Sequence, residues 1–137
     1  DYRMGRDPAL QAVLEYSPST GFHQIFAEAQ RTGDVAAFIT KYRKFKADPK
    51  HRFVDTEGPI NRAGYWLLER KRVAEAVEVF KLNAEYYPGS ANVYDSLGDA
   101  YRAAGNKEEA IKAYTKALSI DPSYPSSIDA LKRLRAK

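Results

Sequence analysis

Residues 91–124 read ANVYDSLGDAYRAAGNKEEAIKAYTKALSIDPSY, and the rest of the chain is spaced from them. A step of 34 residues back takes Gly98 to Gly64, Ala110 to Ala76, Tyr114 to Phe80 and Pro122 to Pro88. Four matches of kindred type at one offset indicate an internal repeat. Within the stretch, Val93, Tyr94, Leu97, Ala100 and Tyr101 fall three and four apart and form one apolar stripe of a helix. Gly105-Asn106 ends that helix, because glycine takes the left-handed C-terminal position without steric cost. A second helix starts at Lys107-Glu108-Glu109, its acids in the first turn where the helix dipole favours them, and carries Ala110, Ile111, Tyr114, Ala117 and Leu118 inward. Asp121-Pro122 closes the hairpin, since proline disfavours helix in the residue before it. Gly98 opposite Ala110 lets the two backbones approach closely. A single hairpin cannot bury its own stripe, so it needs neighbours on both sides.

Tyr94, Leu97, Gly98, Tyr101, Ala110, Tyr114, Ala117 and Pro122 fill the places of the tetratricopeptide repeat pattern, and the stretch resembles such a repeat. The resemblance implies an all-α, right-handed superhelical solenoid of antiparallel hairpins. It implies a scaffold for holding partners and carries no particular task, because one fold hosts many functions.

The bulk numbers bound the rest. At 137 residues, 44% hydrophobic and 29% charged, the chain has the size and composition of one globular domain. No apolar run is long enough to span a membrane. The absence of cysteine removes disulfides, thiolate zinc sites and a cysteine nucleophile, and fits either redox compartment. The net charge of +4 is spread evenly along the chain and is a weak argument for nucleic acid. Asp1 reads as a boundary, so that the chain is expected to be a solenoid piece of something longer.

In order along the chain, Asp7-Pro8 opens a helix with Leu10, Val13 and Leu14 on one face. Ser17 to Gly21 reads as a loop by composition. A helix over 22–31 turns Phe22, Ile25, Phe26 and Ala29 inward, and Asp34 caps the next, with Val35, Phe38, Ile39, Tyr42 and Phe45 inward as far as Asp48-Pro49. This pair, within 7–56, is a degenerate hairpin without the signature residues. After a linker at 50–59, Pro59 or Ile60 opens the repeat 57–90, with Ile60, Ala63, Gly64, Leu67 and Leu68 in its first helix, a turn at 69–72, and a partner helix over 73–86 carrying Ala76, Val77, Phe80 and Leu82 inward. The repeat 91–124 follows, and Ser126 or Ser127 caps a final helix in 125–137 with Ile128, Leu131 and Leu134 inward. One domain, 1–137, is expected. Asn83, one period before Ala117, is expected to bond backbone around residues 89–92, with a ligand contact as the other reading.

VFKLNAEYYPGSANVYDSLGDAY at 79–101, NRAGYWLLE at 61–69 and KYRKFK at 41–46 look like the repeat-containing C-terminal tail of bacterial β-lactamase-like or esterase-like serine hydrolases. This resemblance covers roughly 34–124 and implies a bacterial accessory domain, of cytoplasm or periplasm, that lends no activity to the chain itself. A free-standing scaffold that self-associates is the alternative, and an enzymatic label without the catalytic domain is a further one.

Chemistry inside the chain is weakly supported. Ser96 lies in Asp-Ser-Leu-Gly, not in Gly-x-Ser-x-Gly, and sits mid-helix. His23 and His51 have no carboxylate at ligand or triad spacing. No catalytic residue, metal site or cofactor is expected. Lys41, Arg43, Lys44, Lys46, Lys50 and Arg52 interleave with Tyr42, Phe45 and Phe53, which admits a phosphate-tracking surface, but helical spacing sends Tyr42 and Phe45 into the core. No nucleic-acid partner is therefore expected. In the resembled fold the first helix of each repeat lines the concave side, which implies a peptide groove of Asn61, Tyr65, Leu68, Asn92, Asp95, Asp99 and Arg102. Family members that clamp a chaperone C-terminus use Lys, Asn and Arg there. Two aspartates in this groove instead suit a basic or amide-rich peptide, or another part of the same polypeptide, unless the charges only solvate it.

Overall fold

The computed structural model describes residues 18–136, and all the regular structure among them is helical. The helices are α1 (Pro18–Thr32), α2 (Val35–Ala47), α3 (Glu57–Glu69), α4 (Val73–Tyr86), α5 (Ala91–Ala103), α6 (Lys107–Ile120) and α7 (Pro125–Arg135), with a short 3-10 turn at Pro49–His51. The described residues group into two compact units, one ending at Asp55 and one starting at Thr56. The helix expected over 7–16 lies outside the described residues.

In the first unit α1 packs on α2 around aromatic rings. Phe22 is central, with ring centroids of Phe38, Tyr42 and Phe45 at 6.3, 6.0 and 6.4 Å. Gly33 turns the chain at φ 74°, and the Asp34 carboxylate accepts from the Ala37 N–H at 2.9 Å, capping α2. The loop expected over 17–21 is corrected: α1 begins at Pro18 and includes Gly21. Proline is compatible with a first helical turn, where its missing N–H has no intrahelical partner to lose. Tyr42 and Phe45 are buried, so the aromatics of the basic run pack in the core, while Phe53 alone stays exposed with the Arg52 guanidinium 5.1 Å from its ring.

The second unit holds two hairpins, α3 with α4 and α5 with α6, and α7 packed on α6. The hairpins share their close approach. A Cβ on Gly64 would sit 2.4 Å from the Phe80 ring, and one on Gly98 would sit 2.6 Å from the Tyr114 ring. They also share their turn. Arg72 N–H bonds Leu67 C=O and Lys71 N–H bonds Leu68 C=O, both at 3.0 Å; one period later Asn106 bonds Tyr101 and Gly105 bonds Arg102 at 2.9 and 3.0 Å. These paired bonds satisfy carbonyls that the helix end leaves open, and need a left-handed residue at their centre. Lys71 takes it at φ 65° and Gly105 at φ 78°.

Four expectations in this unit change. The first repeat opens at Glu57, ahead of Pro59, which is again tolerated inside a first turn. Val79, fully buried, replaces half-buried Val77 among the core residues of α4. The last helix has Tyr124 at its N-cap and Pro125 inside its first turn, so neither Ser126 nor Ser127 caps it. Asn83 is fully buried, and its amide donates to the Glu57 C=O at 3.0 Å rather than to residues 89–92. It thereby ties α4 to the first turn of α3.

Candidate functional site

Asp99 is the node of the expected groove. Its Oδ2 accepts from the Tyr65 hydroxyl at 2.6 Å, from the equivalent position one repeat earlier. Its Oδ1 accepts from the Tyr114 hydroxyl at 2.5 Å and from Arg102 at 3.3 Å. One carboxylate thus joins α3, α5 and α6. Burial, and next the bond to Asp99, push both tyrosines well above the ordinary phenol range. The side chain of Asp99 stays 23% exposed and that of Arg102 45% exposed, so this end of the face meets solvent.

Asp95, one turn earlier, is differently placed. It is only 6% exposed, and its carboxylate accepts from Ser127 at 2.7 Å and Ser126 at 3.0 Å, both in the first turn of α7. Burial raises its pKa, with the two serine bonds opposing. The reading of Asp95 as a groove charge is therefore corrected: it holds α7 down. Asn92 accepts from the Tyr124 hydroxyl at 3.0 Å. Asn61 and Leu68 are half-buried on α3, and the Asn61 carbonyl oxygen is enclosed without a hydrogen-bond partner.

The structure thus brings Tyr65, Asp99 and Arg102 into contact, and turns Asp95 and Asn92 toward α7 and its approach. Tyr114, Tyr124, Ser126 and Ser127 were not foreseen at the site. The usable signal was spacing: Tyr65 to Asp99 is one 34-residue period, and the serines lie 31 and 32 residues beyond Asp95. Ser96 is buried within α5, where no nucleophile can be presented. Among the described residues no three His, Asp or Glu side chains gather as a metal-ion site, and no helix is long and apolar enough to cross a membrane.

Comparison with known proteins bears on the fold. Residues 91–124 match the tetratricopeptide repeat model. The chain is 27% identical over 95 residues to the Superkiller protein 3 of Saccharomyces cerevisiae, covering 69% of this chain but only 6% of that protein. Among solved structures, MamA of Desulfovibrio magneticus RS-1 superposes with a TM-score of 0.58 at 24% identity, over 88% of this chain and 65% of that one. The first tetratricopeptide domain of Spaghetti (RPAP3), bound to the HSP90 peptide SRMEEVD, gives 0.59 at 17% identity, over 86% and 93%. The fold is that of the tetratricopeptide superhelix, and such repeats are typically protein-interaction modules.

Proposed function

We propose that the chain is a non-catalytic protein-interaction module that takes a basic or amide-rich peptide along the side of α3 and α5 carrying Tyr65, Leu68, Asp99 and Arg102. Asp99 is the observation that supports it. A carboxylate offers about four acceptor sites; here three are filled by Tyr65, Tyr114 and Arg102, on a side chain left 23% exposed. That leaves one pre-oriented acceptor at the surface, suited to an amide or ammonium donor. The Spaghetti domain, of the same fold, holds an acidic peptide; a fixed aspartate here selects for the opposite charge.

A peptide array varied between Lys, Gln and Glu at each position tests this. Basic and amide-rich peptides should be retained, and Arg102→Glu, a change at an exposed side chain, should tighten them severalfold. Retention of acidic peptides, or no response to Arg102→Glu, would sink the reading.

A second reading, supported by the runs at 41–46, 61–69 and 79–101, makes the module the tail of a bacterial serine hydrolase. Its partner would then be the catalytic domain of the same polypeptide. Adding the purified chain to such a domain should change its kcat/KM; an unchanged rate and no binding would remove it.

A further inference from the structure

The repeat period picks out a second surface. Between α6 and α7 lies a hollow of about 480 Å³ lined by Leu118, Ile128, Leu131, Lys132 and Arg135. One period earlier the same positions are Ala84, Tyr94, Leu97, Gly98 and Tyr101. There Gly98 and Tyr101 face α6: the Tyr114 ring lies against Gly98, and Tyr101 packs on the cluster that includes Tyr114 and Ala110. One period earlier still, Gly64 receives Phe80 of α4 in the same way. The hollow on α7 is therefore the seat that α4 fills on α3 and α6 fills on α5.

Two residues make this third seat different. Lys132 stands where glycine let the previous helices approach, and Arg135 stands where Tyr101 packed. Both are exposed. Arg133, between them, is paired with Asp129 at 3.0 Å, whereas Lys132 and Arg135 enter no ion pair among the described residues. A helix seated here must stand further off than α6 does from α5, lay apolar side chains into the hollow, and meet two unpaired cations at its rim.

We propose that this seat docks an amphipathic helix of a partner protein, its apolar stripe flanked by Asp or Glu that pair with Lys132 and Arg135. The seat's geometry supplies the helix, since both of its predecessors hold one. Charge complementarity supplies the acidic flank. This surface is separate from the face around Asp99.

The test is fluorescence anisotropy of the full chain with two labelled synthetic helical peptides sharing one leucine stripe, flanked by glutamate in one and by lysine in the other. The glutamate peptide should bind at least about tenfold more tightly, and a glutamate peptide lacking the leucines should lose about as much. Lys132→Glu combined with Arg135→Glu should invert the preference, a gain that an unfolded variant would not show. Equal binding of both peptides, no binding at about 100 µM, or an unchanged preference in the double variant overturns the proposal. So does sedimentation showing a dimer of the chain that the double variant disrupts, which would give the seat to a second copy.

Discussion

Lys71 takes the left-handed conformation that Gly105 takes one period later. For an L-residue that conformation costs about 1–2 kcal/mol, against about 0.5–1 kcal/mol for the extra freedom that glycine loses on folding. Lys71→Gly should therefore raise stability by roughly 0.5–1 kcal/mol, read as a higher melting temperature. Gly98→Ala should do the reverse. Alanine is preferred in a helix by about 1 kcal/mol, but its Cβ would press on the ring of Tyr114, which is fully buried and tied to Asp99. Overpacking of that kind costs about 1–3 kcal/mol, so a net loss is expected, worth about 4–8 °C in melting temperature for each kcal/mol. A variant as stable as the parent would show that the ring can move aside. Both positions were legible as repeat positions. That a lysine would adopt the glycine's backbone was not, because residue type alone argues against it.

Between elements, the polar bonds decide pH behaviour. Asp95 joins α5 to α7, and its folded pKa is raised by burial. Its contribution is therefore fully present below its unfolded pKa of about 4 and is lost as pH rises through the folded value. The melting temperature of the parent, measured relative to Asp95→Asn, should rise as pH falls from 7 toward 4. A difference that stays flat would mean the carboxylate is not paying for its burial. Tyr65 and Tyr114 join α3, α5 and α6, and both have raised pKa values. The unfolded chain releases phenol protons first, above about pH 10, so stability falls from that pH upward. In an alkaline absorbance titration, these two should ionise only with unfolding, and Tyr65→Phe or Tyr114→Phe should each remove one delayed phenol. The helix ends at Gly105 and Asp121-Pro122 could be read from local chemistry. The burial of Asp95 could not: spacing placed Asp95, Asp99 and Arg102 on one face, but only the serines of α7 determine which of the acids still reaches water. The starts of α1 and α3 were misplaced for a related reason, since Ser-Pro-Ser-Thr-Gly and Gly-Pro look like breakers although proline fits a first turn.

At the scale of the whole molecule, the two compact units each bury their own side chains, Phe22 and Tyr42 in one, Phe80 and Tyr114 in the other. A fragment of residues 56–137 should keep its helical circular dichroism and a cooperative transition. Ending it at 124 removes α7, uncovers the cluster of Ala110 and Tyr114, and strips Asp95 of both serine donors. The shorter fragment should melt well below the longer one; equal melting would deny α7 its structural part. The hairpin architecture was legible because one period recurs. The division at Asp55 falls inside the linker read at 50–59, so the break was legible; that it separates two compact units was not, because that depends on contacts which no local composition reports.

The exchange of Gly98 for Lys132 also bears on how such an array can lengthen. A duplicated 34-residue unit inserted between α6 and α7 would present a glycine-bearing first helix to its own second helix and reproduce the contacts already made twice. The same second helix placed against α7 would meet a lysine stem where it needs empty space. Growth by duplication therefore reproduces existing contacts inside the array, whereas any helix added beyond α7 must stand off from the lysine stem and make contacts of a new kind.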